Sequence, residues 1–132
     1  MQVTANALRL TKTQAATRQV EAAIAALEVG HYDLAITLAG AAEGMFTRKG
    51  QYLFRFLTDH QKFSDFKRRT VIDHLNRERD WLKHGGNANV MKIRREAAVS
   101  MITRAASKLT RWTPPIEQFK AWLVANVDEI YK

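Results

Sequence analysis

The sequence predicts an all-α fold, an antiparallel bundle of four or five main helices. Three observations carry this expectation. Apolar residues recur at three- and four-residue steps along most of the chain. No stretch alternates apolar and polar residues as a half-buried strand would. Glycines and prolines fall between the periodic stretches, where helices should stop and start. The 132 residues suit a single domain covering 1–132, long enough to bury a core.

The periodicity predicts a first helix over 4–29, with Leu8, Ala15, Val20, Ala23, Ile24 and Leu27 on the buried side and Gly30 as its stop. A second helix follows over 31–46. Leu34, Leu38, Ala41 and Met45 form one row on it, and Ala35, Ala39, Ala42 and Phe46 the next. Its small residues, Gly40 and Gly44 among them, would let another helix approach closely. Glu43 lies beside that face. It reads as a surface or capping carboxylate, with burial against an arginine as the rarer alternative.

The stretch 47–63 is less regular. Tyr52, Leu53, Phe54, Phe56 and Leu57 are too dense for one stripe, so a short helix packed on several sides is expected, with a strand as the alternative. Clustered aromatics of this kind belong to a core more often than to a base-stacking surface.

The next helix starts with Ser64 as N-cap and Asp65 in the first turn, and ends at Gly85-Gly86-Asn87. Val71, Ile72, Leu75 and Leu82 give it a buried stripe. Arg68, Arg69, Arg77, Arg79 and Lys83 occupy its other faces. Asn89 can cap a further helix running to about residue 110, with Ile93, Ala97, Met101, Ala105 and Leu109 at four-residue steps. Pro114-Pro115 breaks the chain, and Pro115 suits the first turn of a last helix carrying Ile116, Phe119, Leu123, Val127 and Ile130.

The chain has no cysteine, so disulfides and thiolate metal sites are excluded. Its four histidines lack the four-residue spacing of a helical zinc pair, and no metal or cofactor is expected. No apolar run approaches a bilayer span and no secretory signal is visible, which predicts a cytoplasmic protein without a membrane partner. Residues 62–95 hold 10 basic and 4 acidic residues and so carry +6 of the formal net charge of +8. A basic field focused in this way suits a polyanion such as RNA, and it also suits a merely solvated helix face.

The centre of that field is Asn76-Arg77-Glu78-Arg79-Asp80-Trp81-Leu82-Lys83-His84-Gly85-Gly86. Residues three, four or seven apart share a helix face. Asp80, four before His84, can therefore accept a hydrogen bond from one imidazole nitrogen and leave the other free. Arg79 lies five before His84, about 140° around the helix. Those two would converge only at a distorted helix end or where two chains meet. A histidine that moves a proton beside a guanidinium that stabilises phosphate charge suits RNA cleavage by the internal 2′-hydroxyl. The plainer reading is a helix-end histidine making a cap and a surface pair.

Arg79-Asp80-Trp81-Leu82-Lys83-His84 resembles the signature of the HEPN superfamily: an arginine, a polar follower and, after four to six intervening residues, a histidine. Arg77 to His84 fits the longer spacing. The upstream stretch from Gly30-His31-Tyr32-Asp33 to Ala41-Ala42-Glu43 resembles the family's preceding helix. The resemblance covers roughly residues 22–109. It implies a compact helical bundle, usually dimeric. Many members are metal-independent endoribonucleases, often toxins or antiviral effectors with an antitoxin. Others are inactive binding modules, some beside nucleotidyltransferase partners. On this resemblance the catalytic set is Arg79, Asp80 and His84, and Lys67, Arg68, Arg69, Arg77 and Lys83 are the RNA contacts. The small-residue face of the second helix, or the face carrying Trp81, would be the dimer contact.

Overall fold

The computed structural model describes residues 1–3, 6–48, 55, 56, 59 and 68–131, without the side chains of 68–72. Five helices have defined bounds among these residues: α1 (Lys12–Glu28), α2 (Tyr32–Gly44), α3 (Arg68–His84), α4 (Arg95–Ser107) and α5 (Pro114–Ile130). Packing is helix on helix throughout, which makes the fold an all-α bundle. Among the described residues no helix is long and apolar enough to cross a membrane.

The first helix begins later than its alanine-rich composition suggests. Thr11 accepts from the Gln14 amide at 3.0 Å, and the Gln14 side chain accepts from the Thr11 amide at 2.9 Å. This reciprocal cap fixes the start at Lys12, and Leu8 is left 71% exposed. Ala16, Val20, Ala23 and Ile24 form the buried face. Gly30, at φ +80°, reverses the chain into α2.

On α2 the row Ala35, Ala39 and Ala42 is buried together with Ile36, while Leu34 and Ala41 face outward. α4 is central. Its residues 97–103, 105 and 106 are all buried, and it packs against each of the other four helices. α5 buries Ile116, Phe119, Leu123 and Ile130, with the two prolines at its first positions.

α4 starts at Arg95, six residues beyond the Asn89 cap that the sequence suggested. Arg94 is its N-cap residue, and its guanidinium reaches back to α3 instead of capping locally. The expected short helix with Tyr52, Phe54 and Leu57, the Ser64 cap, and the Val71 and Ile72 side chains lie outside the described residues. Within that stretch Arg55 and Phe56 are helical.

Candidate active site

The C-terminal end of α3 is closed by two glycines in the left-handed region, Gly85 at φ +77° and Gly86 at φ +69°. The Gly85 amide donates to the Trp81 carbonyl at 2.7 Å, and the Gly86 amide to the His84 carbonyl at 2.9 Å. The Trp81 indole N–H donates to the Ala88 carbonyl at 2.8 Å, and its ring lies beside Gly86. Trp81 therefore folds down on its own turn and pins the segment after His84. His84 is the last helical residue. Its imidazole is exposed and has no hydrogen-bond or ion-pair partner among the described residues.

Asp80 does not pair with His84. Its Oδ1 lies 2.9 Å from Arg79 Nη2 and 3.3 Å from Arg79 Nε. A permanently charged guanidinium offering two N–H donors outcompetes a single imidazole N–H for one carboxylate. The pair is part-exposed, so its contribution to stability is small.

Arg79 itself leans onto α2. A Cβ built on Gly40 would meet Arg79 Cγ and Cδ at 3.8 Å, an ordinary van der Waals distance, so the arginine stem passes close over Gly40. Between α2 and α3 lies a cleft of about 460 Å³ whose walls include Thr37, Gly40, Glu43, Arg79 and Lys83. Lys83 follows Arg79 by one helical turn, so the two cations share this cleft. His84 is not part of its lining. Within one chain the arginine and the histidine thus occupy different surfaces, as the helical geometry required.

Glu43 at the base of the cleft is the arginine-paired carboxylate, not a surface one. Its Oε1 lies 2.9 Å from Lys108 Nζ and 3.1 Å from Arg104 Nε. Arg104 also donates to Asn76 Oδ1 at 2.8 Å, which ties α4 to both α2 and α3. Lys108 donates to the Glu43 and Phe46 carbonyls as well and so satisfies the end of α2. Burial alone would raise the Glu43 pKa. The Lys108 hydrogen bond and the charges of Arg104, Lys108 and Arg79 outweigh it and hold the carboxyl below its ordinary value.

A depressed folded-state pKa contributes stability above the unfolded value, and that contribution is lost as pH falls through the folded one. The stability advantage of wild type over Glu43→Gln should therefore be fully present at neutral pH and shrink as pH falls below the ordinary glutamate value of 4.5. Urea titrations at several pH values measure it.

A second polar cluster braces the same helix. Glu78 is fully buried and accepts two bonds from the Arg94 guanidinium, at 2.7 and 2.8 Å. Arg94 also contacts Glu96, the His74 carbonyl at 3.0 Å and His74 Nε2 at 2.7 Å. Below it the Tyr131 hydroxyl meets Ser100 Oγ at 2.6 Å and donates to the Glu96 carbonyl at 3.2 Å. Burial pushes the Tyr131 pKa well up, so it stays a neutral hydrogen-bonding group. The sequence carried a signal for this cluster: Glu78 sits between Leu75 and Leu82 on the apolar stripe.

Arg77 is exposed and has no side-chain partner among the described residues, and Lys83 lines the cleft. The Lys67, Arg68 and Arg69 side chains lie outside the described residues. Among the described residues no three His, Asp or Glu side chains gather as a metal-ligand set. Comparison with protein-family models, with curated proteins and with solved structures yields no match to this chain.

Proposed function

We propose that the chain is a HEPN-type endoribonuclease that needs no metal and acts as a homodimer in the cytoplasm. The observation that carries this reading is the placement of Arg79 and Lys83 in the α2–α3 cleft, with a His84 imidazole that has no partner among the described residues at the end of the same helix. An RNA phosphate fits between the two cations. The neighbouring 2′-hydroxyl attacks phosphorus and forms a P–O2′ bond, while the P–O5′ bond breaks. His84 transfers the proton between the two oxygens, and Arg79 offsets charge on the non-bridging oxygens. Arg77, Lys67, Arg68 and Arg69 hold flanking phosphates. Because Arg79 and His84 face different surfaces, a two-fold axis near the end of α3 joins the arginine of one chain to the histidine of the other.

Asp80 positions Arg79 on this reading, since its carboxylate is bound there. That engagement also favours a second reading, in which the protein is a non-catalytic module that binds RNA, a nucleotide or a protein partner of the antitoxin or nucleotidyltransferase kind. Incubating purified protein with RNA in excess chelator separates the two. Cleavage leaving 2′,3′-cyclic phosphate ends is expected. Salt-sensitive binding without turnover would instead establish the module.

A further inference from the structure

We propose that the groove between α1, the start of α2 and α5 binds a small organic cation with an apolar body. This groove lies outside the α2–α3 cleft, shares no residue with it and does not depend on the ribonuclease reading. Its volume is about 540 Å³, the size of a small-molecule site. Ile24, Leu27 and Phe119 form its apolar floor, and Tyr32 and Trp122 are aromatic walls. The Phe119 and Trp122 rings are 6.1 Å apart and tilted by 33°, so they make one continuous aromatic surface.

Two charges border this surface. Arg95 is held by the Glu129 carboxylate at 2.8 and 3.0 Å and is neutralised there. The Glu28 carboxylate has no hydrogen-bond or ion-pair partner among the described residues. It stands in the last turn of α1, which has no basic residue to offset the negative end of the helix dipole. Of the two charged side chains on this aromatic-walled lining, Glu28 is thus the one not already engaged among the described residues. Two aromatic rings outside the groove carry cations: Arg48 lies 4.2 Å over Phe46, and Lys120 lies 5.5 Å over Trp112. Tyr32, Phe119 and Trp122 carry no such cation among the described residues. An ammonium placed against these rings and Glu28 gains both cation–π and ionic attraction, and its apolar body covers Leu27 and Ile24.

Benzyltrimethylammonium is the probe, with phenylacetate as the control of opposite charge and similar body. Titration followed by the NMR signals of the Trp122 indole and Tyr32 ring should show saturable binding of the cation and weaker binding of the anion. Glu28→Gln and Trp122→Leu should each weaken the cation by about fivefold or more. Both side chains lie at the exposed rim, so both variants should keep the wild-type circular dichroism. Phenylacetate binding as tightly as the cation, unchanged affinity in Glu28→Gln, or no shift at Trp122 at millimolar cation would overturn the proposal.

Discussion

His84→Ala is expected to lose RNA cleavage by roughly 100-fold to 10,000-fold, the range that a positioned proton-transfer group contributes. The variant should fold normally. His84 is exposed at the end of α3 and its side chain makes no hydrogen bond among the described residues, so its truncation strands no partner. The helix stop belongs to Gly85, Gly86 and the Trp81–Ala88 hydrogen bond, all unchanged in the variant. RNA affinity should also persist, because the cations in the cleft remain. Loss of cleavage with binding and thermal stability intact separates a chemical role from a structural one. Unaltered cleavage in this variant would remove His84 from the mechanism.

Arg94→Ala is the change with the largest expected effect on stability. It would leave Glu78 fully buried and without its guanidinium, and would take donors from Glu96 and the His74 carbonyl. Removing one partner of a buried ion pair costs about 3–5 kcal/mol. For a chain of this length that lowers Tm by roughly 10–20 °C. Replacing both members by apolar residues of similar volume, as in Glu78→Leu with Arg94→Met, should cost much less, because no charge is then left stranded. Calorimetry of the single and double variants measures the difference. A single variant as stable as wild type would mean that the clasp contributes little.

The helices were legible in the sequence because their apolar positions repeat at the helical period. Val20, Ile24, Leu75, Met101, Leu109, Phe119 and Leu123 are all buried as that pattern requires. The starts of α1 and α4 were less legible, for different reasons. At α1 the alanine-rich composition suited a helix from residue 4 onward, and the Thr11–Gln14 capping box decided otherwise. At α4 the start follows from a long-range contact, Arg94 to Glu78, which no local pattern encodes.

The candidate site divides in the same way. The different facings of Arg79 and His84 follow from a helix turning about 100° per residue, and the sequence was enough to say so. That the Arg79 stem passes over Gly40 of α2 is a tertiary fact that no local pattern encodes. The choice of Asp80 between Arg79 and His84 is a competition between donors, and spacing alone pointed to the wrong partner. Glu43 was legible as a carboxylate beside a small-residue face. Its pairing with Arg104 and Lys108 joins residues about sixty positions apart and could be read only from the folded chain.

The central claim is that the arginine of one chain and the histidine of another make one catalytic site. Mixing inactive Arg79→Ala and His84→Ala proteins tests it most directly. After subunit exchange half the dimers are mixed, and each mixed dimer holds one site with both residues intact. Cleavage should then return to about one quarter of the wild-type level. If the mixture, with exchange verified by mass spectrometry, stays as inactive as its two components, the shared site is contradicted.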